Sequence, residues 1–240
     1  MTDVALVTGA SRGIGAAVVA RLRSDGWIVV GLDLDSAGSS TIADRWLVGD
    51  ATDEATWDQA VREAATLGNL RAVVNNAGAQ GRSSLLTETS LESFRSVVDV
   101  NVTSAFLGTR AGLRAMTDGG AVVNVASNAG SRGVPRYGAY VAGKHAVIGL
   151  TRTAAVEGAR QGIRVNAVAP GPTQTRIMDA VAESFSSGRE ETMRKLVAAN
   201  PSRRFGEPAE IADAIAWLAG TDSSYVTGTV LAVDGGLTAV

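Results

Sequence analysis

The chain has 240 residues, a formal net charge of −2, 45% hydrophobic and 19% charged residues. That balance carries ample apolar material for a large core, and it excludes wholesale disorder and a surface built to bind nucleic acid phosphates. Cys is absent and His145 is the single histidine, so disulfides, thiolate chemistry and multi-histidine metal sites are excluded and no metal is expected. The start, Met1-Thr2-Asp3-Val4-Ala5-Leu6-Val7, is unlike a signal peptide, and no stretch approaches the roughly 18 apolar residues of a membrane span. A soluble, cytoplasmic protein with no membrane partner is the expectation.

Short apolar, β-branched runs recur along the chain: Val4–Val7, Trp27–Leu32, Trp46–Val48, Leu70–Val74, Ala121–Ala126, Ile163–Val168 and Val230–Val233. Most are apolar almost throughout, which suits strands covered on both faces in a parallel sheet. Between them lie segments with helical spacing, such as Leu91, Phe94, Val97 and Val98. Ile211, Ile215 and Leu218 repeat the pattern between Pro208, a first-turn proline, and Gly220, a helix stop. The alternation predicts an α/β chain, a single doubly wound Rossmann domain over residues 1–240 with a seven-stranded parallel sheet and helices on both faces. The 12 residues between Asp33 and Trp46 make one crossover thin. Pro170 to Glu207 is too long for an ordinary connection, so a lid is expected at about 172–207.

The first strand runs into Thr8-Gly9-Ala10-Ser11-Arg12-Gly13-Ile14-Gly15 and then a helix of Ala and Val. Glycines at such a turn bring backbone N–H groups and a positive helix end up to a pyrophosphate, although G-x-x-x-G-x-G is not the usual dinucleotide spacing. Eighteen residues past Gly15 the second strand ends at Asp33, whose carboxylate suits adenosine ribose hydroxyls and repels a 2′-phosphate. NAD is therefore expected rather than NADP. Arg12 argues the other way, since a guanidinium in the turn could hold that phosphate.

Ser127 follows Val122-Val123-Asn124-Val125-Ala126 and belongs at the C-terminal mouth of a central strand, where open α/β sheets bind ligands. Tyr140 and Lys144 are spaced i, i+4 and share a helix face. A free phenol has a pKa of about 10, and an ammonium one turn away favours the phenolate.

Together these motifs resemble the short-chain dehydrogenase/reductase family in its single-domain branch. The carriers are TGASRGIG at Thr8–Gly15, Asp50, NNAG at Asn75–Gly78, Asn101, Ser127, the YxxxK of Tyr140 and Lys144, Pro170-Gly171, and the ending Asp234-Gly235-Gly236. They come in the family's order over essentially the whole chain. The resemblance implies Tyr140 as general acid/base, Ser127 as holder of the substrate oxygen, and Lys144 as the group that lowers the tyrosine pKa and binds the nicotinamide ribose. It makes Asn101 the anchor of a proton-relay water. It implies cofactor contacts at Gly9, Ser11, Arg12, Gly13, Ile14 and Gly15, at Asp33, at Asp50 and Ala51 beside the adenine, and at Asn76, Ala77 and Gly78. Pro170, Gly171, Thr173 and Thr175 fall beside the nicotinamide. Thr173 stands where the family often has Val or Ile, and Ala51 where a larger apolar residue is commoner. The resemblance also suggests a homotetramer or homodimer packed across helices at 91–116 and 138–158.

The implied reaction interconverts a secondary alcohol and a ketone by hydride transfer, a chemistry that needs neither metal nor thiol. The alternative is an NADPH-dependent carbonyl or 3-oxoacyl-thioester reductase. A dinucleotide-sensing protein would not need the intact Ser127, Tyr140, Lys144 and Asn101 set. An enoyl reductase of the family spaces its Tyr and Lys more widely, and an extended-branch epimerase needs a larger C-terminal region. Tyr137 has Val141, not Lys, four residues on, and could line the substrate mouth. His145 is expected to be a packing or surface residue. The substrate pocket is assigned to Ala129–Tyr137, Gln80–Ser84 and the long excursion, whose basic excess could steer an acidic substrate.

Overall fold

A computed structural model describes residues 2–35, 43–175, 178 and 189–239. Its seven strands are β1 (Asp3–Thr8), β2 (Ile28–Asp33), β3 (Arg45–Val48), β4 (Asn69–Asn75), β5 (Gly120–Val125), β6 (Ile163–Pro170) and β7 (Val230–Val233). All are parallel, in the order β3-β2-β1-β4-β5-β6-β7. Each expected apolar run therefore lies in a strand, with bounds shifted by a residue or two.

Alternate side chains of each strand serve opposite layers. Val4 and Leu6 of β1, with Val73 and Val122, pack beneath Trp57, Ala60 and Ala64 of α2 (Glu54–Leu67), Leu107 of α4 (Ser104–Ala115) and Ala154 of α5 (Gly138–Gly158). Ala5 and Val7, with Val74 and Val123, pack against Val18, Val19 and Leu22 of α1 (Gly13–Ser24) and Ile211, Ile215 and Leu218 of α7 (Pro208–Ala219). This is the doubly wound Rossmann arrangement. Its strand order reverses between β1 and β4, opening a crevice at their C-terminal ends.

The helix expected over 91–116 is interrupted. α3 (Leu91–Val98) passes through a π turn at Asp99–Thr103 before α4 begins. π turns break the helical ladder and re-aim side chains, and this one carries Asn101.

Four buried polar side chains tie the central strands to α4 and α5. Asn75 Nδ2 donates to Asn124 Oδ1 at 2.8 Å and Thr109 Oγ1 at 3.3 Å, while Asn124 Nδ2 donates to Thr151 Oγ1 at 2.9 Å. Among the described residues Asn75 Oδ1 is left without a donor, while the remaining bonds of the network link the strands to the helices and favour one packing register.

After β6 the long excursion begins with its two ends zipped together. Gly206 N–H donates to Pro172 O and Gln174 N–H to Gly206 O, each at 2.9 Å. Within it, α6 spans Arg189–Ala199. Of the expected lid at 172–207, residues 176–177 and 179–188 lie outside the described residues, as do 36–42 of the short β2–β3 crossover.

Candidate active site

The crevice holds a cleft of about 570 Å³, within the usual range for small-molecule sites. Every site residue expected from the sequence lines it except Ser11 and Gly15, which support it from behind.

At one end of the cleft, β1 passes into α1 through a turn that leaves no room for side chains. Gly9 adopts φ +63°, and a Cβ there would lie 2.8 Å from Asn76 Nδ2. A Cβ on Gly15 would fall on the carbonyl oxygen of Gly9. Asn76 holds this turn, its Nδ2 donating to Thr8 O at 3.0 Å and Gly9 O at 3.1 Å. The Thr8 hydroxyl accepts the backbone N–H groups of Asn76 and Ala77, both at 3.0 Å. Thr8 was legible only as part of a motif; its two accepted bonds make it the pin between the ends of β1 and β4.

At the outer end, Asp33 Oδ2 accepts the Ser11 N–H at 2.8 Å. Arg12 does not face this carboxylate: its Nη1 pairs with Asp35 at 3.0 Å on an exposed surface. Asp50 Oδ1 accepts the Thr52 N–H and hydroxyl, both at 2.8 Å. Ala51 is buried, its carbonyl accepting from Trp57 Nε1 at 2.8 Å. Ile14 and Gly13 floor the cleft, and Thr175 Cγ2 lies 3.4 Å from where a Gly13 Cβ would stand.

At the C-terminal end of β5, Ser127 emerges into the cleft, and its Oγ accepts the Ala129 N–H at 3.1 Å. Burial pushes the Tyr140 phenol up from the ordinary value, and the neighbouring Ser127 hydroxyl only partly opposes the rise. Lys144 is buried, donates to Val125 O at 2.8 Å, and stands 5.7 Å from the Tyr140 ring centroid. Burial pulls the Lys144 ammonium down to about 8. In this geometry burial, not the ammonium, is the largest influence on the phenol.

Asn101 Nδ2 donates to Ala79 O at 2.6 Å and Val97 O at 2.8 Å. Its Oδ1 is buried and, among the described residues, accepts no hydrogen bond. A Cβ on Gly78 would be 2.8 Å from that oxygen and 3.4 Å from Lys144 Nζ, so amide and ammonium meet across Gly78. Pro170 and Gly171 end β6 against Asp234, whose carboxylate accepts the N–H groups of Gly236 and Thr238. Thr173 donates to Gly171 O at 3.0 Å, and Thr175 to Thr173 O at 3.4 Å.

Tyr137 is buried and lines the cleft. His145 is exposed on α5 with Nδ1 2.9 Å from Val141 O, away from the cleft. Of the segments assigned to the substrate pocket, Gln80, Ala129, Arg132, Val134 and Leu196 do line it.

A family model described as enoyl-(acyl carrier protein) reductase matches residues 9–238. The chain is 38% identical over 245 residues to the 2,5-dichloro-2,5-cyclohexadiene-1,4-diol dehydrogenase of Sphingobium indicum strain UT26, covering 98% of this chain and 96% of that one. The chain belongs to the short-chain dehydrogenase/reductase family. Cyclohexanol dehydrogenase of Acinetobacter sp. strain SE19 is 35% identical to this dehydrogenase/reductase over 247 residues, with 98% and 94% of the two chains covered. The crystal structure of levodione reductase superposes with a TM-score of 0.95 at 34% identity, covering 99% of this chain and 98% of that one. As a member of the family the protein is an oxidoreductase acting on CH–OH groups, and the family uses a nicotinamide dinucleotide. Among the described residues no helix is long and apolar enough to cross a membrane.

Proposed function

We propose that the protein oxidises a ring-borne secondary alcohol to the ketone with NAD, Tyr140 acting as general acid/base. The observation that carries this reading is the convergence of Ser127, Tyr140, Lys144 and Asn101 on one cleft at the C-terminal end of β5. The cleft suits a dinucleotide: the Gly9 and Gly15 turn leaves backbone space for a pyrophosphate, and the unpaired Asn101 Oδ1 lies beside Lys144.

In this reading Tyr140 takes the hydroxyl proton while Ser127 holds the alcohol oxygen by a hydrogen bond. Gly78, Pro170 and Gly171 line the cleft where they would hold a nicotinamide, which would supply the hydride acceptor when bound. The Lys144 ammonium, one helical turn from Tyr140, stabilises the phenolate as it forms. Asn101 Oδ1 holds a water against Lys144, giving the proton a path away from the site. Asp33 receives the adenosine ribose hydroxyls, and Asp50 and Ala51 flank the adenine. Lys144 also binds the nicotinamide ribose. From the expected lid, Pro172, Thr173, Thr175, Met178 and Leu196 line the cleft and bound the substrate side, and the whole chain acts as one domain.

The ring substrate is inferred from the names of the relatives, a cyclohexadienediol dehydrogenase, a cyclohexanol dehydrogenase and levodione reductase, and from an apolar wall made by Ala129, Val134, Tyr137 and Leu196. NADH formation from NAD and cyclohexanol tests it; reduction of cyclohexanone with NADPH but not NADH would favour the carbonyl-reductase alternative. Two or four copies pack across α3–α4 and α5, where Phe106 and Val156 lie exposed and Gly149 has open space around it. A monomer by light scattering contradicts that assembly.

A further inference from the structure

We propose that the alcohol substrate carries an anionic group, a carboxylate or its like, and that Arg132 selects for it. This deepens the ring-alcohol reading and rests on it.

The described residues lining the cleft include five charged side chains. Asp33 and Asp50 stand at the adenosine end, Arg12 is paired with Asp35, and Lys144 is buried beside Tyr140. The fifth is Arg132, on the loop between Ser127 and Tyr140. Among the described residues it makes neither an ion pair nor a hydrogen bond. Its neighbours along the same wall, Ala129, Val134 and Tyr137, offer an apolar ring surface and no counter-charge.

The loop that carries it is clipped at both ends. On one side Ala129 N–H reaches Ser127 Oγ at 3.1 Å and Ser131 Oγ donates to Asn128 O at 3.0 Å. On the other, Arg136 adopts φ +70°, its Nε donates to Ser83 Oγ at 3.0 Å and its carbonyl accepts the Ser84 N–H at 2.9 Å. The loop's second arginine is thus consumed in holding it against the 83–84 segment, which leaves Arg132 at the cleft. Two of the basic residues expected to steer an acidic substrate are paired locally, Lys195 with Glu191 at 2.7 Å and Arg204 with Glu210 at 2.6 Å.

A small-molecule pocket is mostly apolar, with a few polar groups that fix orientation. A guanidinium on the wall of such a pocket matches a carboxylate with two parallel hydrogen bonds. Arg132 is exposed, and solvent screens that attraction, so the expected preference is about tenfold rather than thousandfold.

Binding tests this apart from turnover. Calorimetry with NADH-saturated protein measures cyclohexanecarboxylate against cyclohexanecarboxamide, which keeps the shape and removes the charge, in wild type, Arg132→Gln and Arg132→Lys. The expected result is an acid-over-amide preference of about tenfold in wild type, about one in Arg132→Gln, and an intermediate value in Arg132→Lys. No measurable acid binding, equal affinities in wild type, or a preference that survives Arg132→Gln would overturn the proposal. Cyclohexanol oxidation is measured alongside. If neither it nor oxidation of 4-hydroxycyclohexanecarboxylate is found while the acid preference still depends on Arg132, the ring-alcohol reading fails, the claim of an anionic alcohol substrate fails with it, and only an anion site at Arg132 remains.

Discussion

Replacing Asp33 by Asn should erase most of the preference for NADH over NADPH. The corner that would meet the 2′ position holds Asp33, Asp35 and Arg12, the last two paired at 3.0 Å, so its net charge is −1. Asp33 is fixed there by the Ser11 N–H at 2.8 Å. Two unit charges about 5 Å apart repel by about 0.8 kcal/mol at the dielectric of water and about 3 kcal/mol at an effective value of 20. A 2′-phosphate carries nearly two charges, which doubles those figures; exposure and salt pull toward the lower end. The working expectation is roughly 10²-fold tighter binding of NADH in wild type, falling to within a few-fold in Asp33→Asn. Removing Asp35 as well frees Arg12 and turns the corner positive, so the double variant should prefer NADPH. Parallel titrations, followed by energy transfer from tryptophan to nicotinamide, read each affinity directly. Wild-type protein that binds NADPH as tightly as NADH, or an Asp33→Asn ratio unchanged from wild type, refutes the assignment of this corner.

Thr8→Val strands the part-buried N–H groups of Asn76 and Ala77, which the hydroxyl accepts at 3.0 Å; a loss of about 1–3 kcal/mol is expected by urea denaturation. A loss below about 1 kcal/mol would contradict the role given to this pin. Lys144 has its pKa lowered by burial from 10.5 to about 8, so between those values the unfolded chain binds the extra proton and stability rises with pH. Wild type should therefore gain on Lys144→Met by up to about 3 kcal/mol from pH 8 to 10.5 in paired thermal and denaturant melts. A constant gap between the two proteins would show that the charged lysine is not held at a cost.

The sheet was readable because its central strands are buried on both faces, which writes them as unbroken apolar runs such as Val4–Val7 and Val122–Val123. Site residues emerged from position: Ser127 ends one such run, and Tyr140 and Lys144 sit one turn apart on α5. The break at Asp99–Thr103 was not readable, because the apolar repeat of Leu91, Phe94 and Val97 carries no information about the backbone beyond it. The one hint was Asn101, an amide at a buried helical position. The Asn75, Asn124, Thr109 and Thr151 network was also missed, though Asn at the end of an apolar strand is the signal that could have found it. The partner of Arg12, Asp35 two residues beyond Asp33, was not readable either. Side-chain pairing across a turn depends on three-dimensional distance, which spacing along the chain does not encode.

Turnover of Tyr140→Phe, measured beside its NADH affinity, bears most directly on the central claim. Tyr140 lies in the cleft with Ser127 and has Lys144 5.7 Å from its ring centroid, so removing one oxygen should cut alcohol oxidation by about 10²-fold or more while cofactor affinity stays nearly intact. Turnover within a few-fold of wild type, at unchanged affinity, would take Tyr140 out of the mechanism.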